Sequence, residues 1–362
     1  MDESAPTVAC IITTYFPDSH ADVIGSRLLG HFDYEPSVNL VSMYLEQIAG
    51  NDIGRKRAAG ANVPIYPTIY QAIEAGGSPV DGIVVIGEHG EYPWTANRQK
   101  MYPRRRFHEH VLDAIDELGL TVSVFNDKHF AYDMEDARWI YRQYTDREIP
   151  FFGGSSVPLQ DRVPAVDPSE LRDVEDILVV HGGGVESYGF HGMEVLQSLA
   201  EHRAGGETGV KWIEPFEGRG VWDAADRDAW PADLLPAALE HSRSDLLGDP
   251  RTSVDVPTLF TVQYEDGTQG SVLNLRAFDD NWLFACRTTA GEVIAGHYET
   301  DLGPIHRHFD DLVAAIEELI LTRNAPIPPE RTLMTTGLID ISMKALRTRE
   351  RRMTPELGFG YR

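Results

Sequence analysis

The sequence predicts an α/β protein with an N-terminal doubly wound parallel sheet and a C-terminal α+β domain whose sheet is mainly antiparallel. Three observations support this prediction. Apolar, β-branched runs alternate with amphipathic helical segments through the first half of the chain. Hairpin signals join successive strands in the second half. The 362 residues also exceed the roughly 250–300 at which single cores stop growing.

In the first half, the alternation of strands and helices is typical of βαβ units with right-handed crossovers. The apolar run at residues 83–86 suits a strand that is buried on both faces. Predicted strands are residues 8–14, 38–43, 83–86, 121–125 and 150–152, and predicted helices are residues 21–29, 52–61, 68–74, 106–118 and 134–144.

In the second half, residues 259–264 and 271–278 flank Glu265-Asp266-Gly267-Thr268, a strong hairpin signal. Further strands are expected at residues 176–180, 209–213, 283–286 and 292–297, and helices at residues 190–202, 308–321 and 331–347. We therefore expect a Rossmann-like domain at residues 1–155 and an α+β domain for substrate binding and oligomerisation at residues 156–362. Because antiparallel sheets of this kind often form dimer faces, we expect a homo-oligomer.

The composition limits the classes of partner. A net charge of −25 argues against nucleic acid and against anionic membranes, since both need a basic surface. No apolar run approaches a membrane span, and the N-terminal residues lack a basic signal region. Cys10 and Cys286 lie far apart, as expected of a reducing compartment. A soluble, cytoplasmic protein with a small-molecule substrate is expected.

The loop after the strand at 83–86 carries Glu88, His89 and Glu91, spaced by glycine. Ligands of open α/β sheets bind at the carboxyl ends of the strands. His20 and His129 follow other strands and are expected at the same edge. Imidazole and carboxylate ligands together suit Zn, Mn or Fe, so these five residues are candidate metal ligands. The alternative is a solvated loop, with histidines that cap or fill the core.

The turn after the first strand lacks the G-x-G-x-x-G pattern that lets a dinucleotide diphosphate approach the backbone. No glycine occurs between Thr13 and Gly25, and Asp18 places negative charge where phosphate would sit. The pattern alone disfavours a nicotinamide cofactor. The candidate residues for holding one at this turn are Thr13, Thr14, Tyr15 and Ser19.

Several longer segments nevertheless resemble the Gfo/Idh/MocA family of oxidoreductases. These are Val63-Pro-Ile-Tyr-Pro-Thr-Ile-Tyr-Gln-Ala-Ile73, Val80-Asp-Gly-Ile-Val-Val-Ile-Gly87 and Tyr188-Gly-Phe-His-Gly-Met-Glu194. The resemblance implies an NAD(P)-dependent oxidoreductase that acts on a sugar, a polyol or a hydroxy acid. It makes Lys128 the match to the family's catalytic lysine. It also assigns His191 and Glu194 to the catalytic set, with Glu194 in place of the usual aspartate.

Three functional hypotheses follow. In the first, a nicotinamide-dependent oxidoreductase uses Lys128 to take a hydroxyl proton. In the second, the same fold carries a divalent metal and acts as a hydrolase, lyase or isomerase. In the third, the chain binds sugars or regulates without catalysis. Arg104, Arg105 and Arg106 before a helix can bind an anion, although pairing with surface acids is the favoured expectation.

Overall fold

The computed structural model describes residues 5–246, 248–279, 281–301, 303 and 305–361. These residues form two compact units. The first comprises Met1–Pro93, Lys100–Ser156 and Asp301–Leu333, and the second comprises Trp94–Gln99, Val157–Thr300 and Met334–Arg362. The return of residues 301–333 to the first unit is a difference from the linear division at residue 155, and the physical reason is helix packing. Arg27 Nε pairs with Asp310 at 2.5 Å, and Ser123 Oγ donates to the Leu319 carbonyl at 3.2 Å.

The first unit contains a parallel sheet, as predicted. In the described part of the chain its six strands run in the order β3-β2-β1-β4-β5-β6. Their bounds are β1 Thr7–Ile12, β2 Asn39–Leu45, β3 Ile65–Tyr66, β4 Gly82–Ile86, β5 Ser123–Asp127 and β6 Phe151–Gly154. All five residues of β4 are buried, which agrees with their apolar character. All five residues of β5 are also buried, although three of them, Ser123, Asn126 and Asp127, are polar.

The helices of the first unit begin and end where local chemistry directs. Thr68 accepts a hydrogen bond from the Gln71 amide at the start of α3, and Asp133 does the same for Glu135 at the start of α5. Gly119 in the left-handed region ends α4. The bounds are α1 Ser26–Leu28, after a π-helical turn at Ala21–Gly25, α2 Gly54–Gly60, α3 Ile69–Glu74, α4 Arg104–Leu118, α5 Met134–Asp146 and α10 Phe309–Thr322.

The strand order brings three loops together. Strand β4 pairs with both β1 and β5 in parallel, so the loops after these three strands leave the same edge of the sheet side by side. Those loops carry His20, Glu88 with His89, and Lys128 with His129. The predicted convergence of strand ends is therefore confirmed at the level of the backbone.

The second unit is built on a mixed, mostly antiparallel sheet. Within the described residues its eight strands run in the order β14-β9-β10-β11-β8-β12-β13-β7. One pair, β8 with β11, is parallel, whereas β10 and β11 form the predicted antiparallel hairpin. The bounds are β7 Arg162–Val163, β8 Val174–His181, β9 Val210–Glu217, β10 Thr258–Tyr264, β11 Gln269–Asn274, β12 Leu283–Thr288, β13 Val293–Tyr298 and β14 Arg352–Met353.

Helices cover this sheet with apolar side chains. Trp222 and Trp230 share a core with Leu259 and Leu273 of the sheet. The bounds are α6 Ser187–Ala200, α7 Arg219–Ala225, α8 Leu235–Leu239, α9 Pro250–Ser253 and α11 Pro329–Thr348, of which α7, α8 and α9 were not predicted. Strand β11 ends at Asn274 rather than at residue 278, because Arg276 has a left-handed backbone (φ 61°) that a strand does not accommodate. In the described residues, no helix is both long and apolar enough to cross a membrane.

Candidate active site

A buried ion network lies at the carboxyl edge of the parallel sheet. Glu88, which follows β4, accepts from Arg104 Nη2 at 2.6 Å and from Lys128 Nζ at 3.1 Å. The side chains of all three are at least 95% buried. Gly87 makes the arrangement possible, since a Cβ there would lie 2.8 Å from Arg104 Cγ. Two cations, Arg104 and Lys128, therefore share one carboxylate, Glu88, in a place shielded from water.

The network sets the protonation of its members. Burial alone would raise the pKa of Glu88, but Lys128 and Arg104 outweigh it and hold that pKa well below its usual range. Burial, reinforced by Arg104, lowers the pKa of His129 well below its usual range. Arg104 Nη1 lies 3.1 Å from His129 Nε2, and a guanidinium can only donate, so Nε2 is the accepting nitrogen of a neutral ring. Glu88 is ionised and His129 is neutral at pH 7.

His20 and Asp127 form a hydrogen-bonded dyad beside this network. His20 lies at the N-cap of the π-helical turn after β1, and Asp127 is the last residue of β5. The His20 Nδ1 atom is 2.9 Å from the wholly buried Asp127 carboxylate. A carboxylate accepts only, so it fixes the hydrogen on Nδ1 and leaves the lone pair on Nε2. This arrangement orients an imidazole as a general base.

Aromatic and imidazole rings surround the dyad. The His20 ring centroid is 5.6 Å from that of His89 and 5.3 Å from that of Phe309. Phe16 contacts His89 edge-on at 5.2 Å. Burial lowers the pKa of His89 to about 4, with His20 and Lys128 adding to the effect against Glu88. His89 is therefore a neutral ring at pH 7.

Four residues at this edge have a left-handed backbone conformation, which residues other than glycine rarely adopt. The φ angles are 62° at Asp18, 66° at His89, 57° at Lys128 and 50° at His306. Such residues cost roughly 1–3 kcal/mol each and cluster at functional sites. His306 Nε2 also lies 3.8 Å from Asp18 Oδ1. The loops at this edge are thus held in locally strained backbone conformations.

The second unit has its own polar and aromatic cluster on α6. His191 is nearly buried and contacts the Trp282 ring edge-on at 5.6 Å, and Tyr188 stacks on the same ring at 6.1 Å. Glu194 is buried and accepts a hydrogen bond from Thr335 Oγ1. His191 and Glu194 lie inside α6 rather than at its start, because the helix begins at Ser187 and not near Phe190 as predicted. Their assignment to catalysis stays a prediction.

Comparison with known proteins identifies the fold. No family model matches the sequence, and no curated protein sequence is similar to it. The structure superposes on GenD2 of gentamicin A biosynthesis in complex with NAD, with a TM-score of 0.64, 11% identity, and 96% of each chain covered. It also superposes on myo-inositol 2-dehydrogenase from Lactobacillus plantarum (TM-score 0.61, 10% identity, 96% of this chain and 99% of that one). Scyllo-inositol dehydrogenase from Lactobacillus casei gives a TM-score of 0.61 at 11% identity, over 98% of this chain and 99% of that one.

The chain has the Gfo/Idh/MocA fold. The fold class and the resemblance predicted from the sequence are confirmed. Sequence identities of 10–13% show a shared fold and do not show a shared function. The function therefore has to be argued from the side chains at the sheet edge.

The turn after β1 is where a protein of this fold would bind the diphosphate of a dinucleotide cofactor, and its residues show whether such a cofactor fits. Thr13 Oγ1 donates to the Glu88 carbonyl, and the Tyr15 side chain is wholly buried. Ser19 Oγ accepts from the amides of Phe16 and Asp22, both at 3.2 Å. The amides of Phe16 and Asp22 are thus bonded to Ser19 rather than presented to a diphosphate, and Thr13, Tyr15 and Ser19 are engaged or buried within the chain, which does not fit the predicted cofactor role. Thr14 is buried beside them.

Two of the predicted metal ligands, Glu88 and His129, have side chains that are engaged in other ways. Glu88 is bonded to two cations, and His129 Nε2 faces the Arg104 guanidinium. Glu91 is exposed, and its amide donates to the Gln47 side chain at 2.8 Å. Among the described residues, no group of three or more His, Cys, Asp or Glu side chains is arranged to hold a metal ion. The geometry gives the metal hypothesis no support.

Sequence analysis missed two members of the site. Asp127 was not among the predicted site residues, although it ends a strand that is predicted to lie beside the histidine-bearing first turn. Arg104 was expected to pair with surface acids, and this was wrong, because its side chain is wholly buried on Glu88. Its two neighbours do form such pairs, Arg105 with Glu109 and Arg106 with Glu46.

Proposed function

We propose that the chain is an enzyme that binds a small hydroxylated substrate at the edge of the parallel sheet. His20 acts as the general base that removes a proton from this substrate. The observation that carries this proposal is the His20–Asp127 dyad, whose atoms lie 2.9 Å apart at the carboxyl end of β5. This is the part of an open α/β sheet at which ligands bind.

The dyad defines the roles of its two side chains. Asp127 holds the tautomer of His20 and stabilises the imidazolium that forms when Nε2 takes the proton. Lys128 contacts Glu88 at 3.1 Å, so its role is electrostatic in this proposal, and the proton is taken by His20. The neutral His89 ring lies beside His20 without adding a competing charge.

We propose a redox-neutral reaction of the isomerase or lyase class, in which His20 removes a proton from the carbon next to the carbonyl group of a sugar, a hydroxy acid or a ketone derived from a polyol. The electron pair of the broken C–H bond moves onto the carbonyl oxygen. The resulting enolate then takes the proton back on carbon in an isomerase, or expels a neighbouring hydroxyl group as water in a lyase. The support comes from the first turn, in which the amides of Phe16, Asp18 and Asp22 are bonded to side chains of the same turn. The substrate class rests on the fold neighbours, several of which are inositol dehydrogenases by name, and inositols are polyols.

The second candidate is an NAD(P)-dependent oxidoreductase that acts on a sugar, a polyol or a hydroxy acid. The fold favours it, because one neighbour was solved with NAD and others are named as dehydrogenases. It requires production of reduced nicotinamide with one of these substrates. The absorbance of reduced nicotinamide, measured with the purified protein and a panel of polyols, decides for or against this candidate.

Incorporation of solvent deuterium into carbon tests the main proposal. The protein is incubated in deuterium oxide with a panel of sugars, hydroxy acids and ketones derived from polyols, and proton NMR follows loss of carbon-bound hydrogen. His20→Asn keeps a donor near the position of Nδ1 and removes Nε2. We expect exchange by the wild type and a loss of about 10²–10⁴-fold in the variant. Exchange by His20→Asn at the wild-type rate contradicts the proposal.

A matched control uses another histidine. His110 is exposed on α4, so His110→Asn should leave the exchange rate unchanged. Loss of exchange in both variants would indicate a general effect of histidine substitution and would also count against a specific role for His20.

We further propose that the protein assembles as a homo-oligomer, which light scattering of the purified chain tests directly.

A further inference from the structure

We infer that the first turn of the parallel sheet is closed to a dinucleotide diphosphate by the chain's own groups, and that the protein holds no nicotinamide dinucleotide. In a dinucleotide-binding sheet, glycines after the first strand let the diphosphate reach the backbone amides at the start of the helix. In this chain, an aromatic side chain and a carboxylate occupy that turn. The inference goes beyond the proposed proton transfer and does not depend on it.

Tyr15 fills the turn with its ring. Its side chain is wholly buried, and a Cβ added at Gly54 would lie 2.8 Å from Tyr15 Cβ. A Cβ at Gly25 would lie 3.4 Å from the same ring. The two glycines near this turn therefore make room for Tyr15, whereas the glycines of a dinucleotide site make room for phosphate.

Asp22 supplies the negative charge that a phosphate would bring. Its side chain is almost fully buried, and Oδ2 accepts from the Asp18 amide at 3.2 Å. Oδ1 accepts from Ser26 Oγ at 2.6 Å, and Arg57 Nη2 lies 3.4 Å away. Tyr15 Oη completes the chain of hydrogen bonds at 2.6 Å from Ser26 Oγ. A diphosphate at this place would meet a buried like charge with its hydrogen bonds already made.

The acid that follows β2 is engaged as well. In dinucleotide-binding sheets, an acidic residue near this position bonds the ribose hydroxyls. Glu46 accepts from Tyr92 Oη at 2.8 Å and pairs with Arg106. The two contacts use both carboxylate oxygens, so neither the diphosphate position nor the ribose position is presented as a binding surface.

Direct titration tests the inference. The purified wild-type protein is titrated with NADH and with NADPH, followed by nicotinamide fluorescence and by isothermal calorimetry. We expect no saturable binding at dinucleotide concentrations up to about 1 mM. A dissociation constant of about 1 mM corresponds to a binding free energy of only about −4 kcal/mol. Saturable binding of either dinucleotide with a dissociation constant at or below about 1 mM would overturn the inference.

A charge-removing variant tests the cause. Asp22→Asn preserves the shape of the side chain and removes its charge. Because Tyr15 still fills the turn, we expect a lower melting temperature and still no binding of NADH. Saturable NADH binding by Asp22→Asn would overturn the claim that the Tyr15 ring fills the position of the diphosphate. Neither titration involves His20, so a failure here is distinguishable from a failure of the proton-transfer proposal.

Discussion

Replacing Glu88 by Gln should destabilise the first unit strongly, because two buried cations would lose their counter-charge. Glu88 is 3% exposed and contacts Arg104 at 2.6 Å and Lys128 at 3.1 Å. Removing one partner of a buried ion pair costs about 3–5 kcal/mol, since the remaining charge is left without compensation. We therefore expect the free energy of unfolding to fall by roughly 3–5 kcal/mol, measured by urea denaturation with circular dichroism.

Two further variants separate this explanation from a general loss of packing. Lys128→Met in the Glu88→Gln background removes one of the stranded cations, so the double variant should recover about 1–3 kcal/mol relative to Glu88→Gln alone. Glu109→Gln breaks a half-buried surface pair with Arg105 and should cost less than about 1 kcal/mol. A Glu88→Gln variant within about 1 kcal/mol of the wild type would refute the claim that the network is a buried charge balance.

Two more predictions concern pH and salt. Burial lowers the pKa of His108 and of His181 from 6.5 to about 4, so the unfolded chain binds more protons than the folded one between these values. The stabilisation is therefore fully present above about pH 6.5 and is lost as the pH falls toward 4, by roughly 3 kcal/mol for each histidine. In a plot of unfolding free energy against pH, His108→Gln should make the curve flatter between these two pH values. The net charge of −25 predicts self-repulsion that salt screens, so the melting temperature should rise as sodium chloride is increased from about 0.01 to 1 M, and a melting temperature independent of salt would contradict this.

The sequence predicted the sheet because its strands are coded locally. The run at residues 83–86 is apolar and β-branched, and all of it is buried in β4. The edge position of the site followed from strand order alone, which is why His20, Glu88 and Lys128 could be placed at one edge without side-chain coordinates. The hairpin at Glu265–Thr268 was predicted for the same reason, since its turn residues are specific.

The partners of each side chain were not predictable, because they depend on distances between residues far apart in the chain. Nothing local distinguishes Arg104 from Arg105, yet one is wholly buried on Glu88 and the other lies against surface acids. The pairing of His20 with Asp127 joins residues 107 apart in sequence. The metal hypothesis required carboxylates and imidazoles that were unengaged, and only side-chain coordinates showed that Glu88 was already bonded to two cations.

The tautomer of His20 is the most direct test of the central claim, that Asp127 orients this ring as a base. Nitrogen-15 NMR of histidine-labelled protein at about pH 8.5, where imidazole is ordinarily neutral, reports which ring nitrogen carries the hydrogen. The account predicts hydrogen on Nδ1 in the wild type and a redistribution toward Nε2 in Asp127→Asn. Hydrogen on Nε2 in the wild type, or a tautomer that Asp127→Asn leaves unchanged, would contradict it.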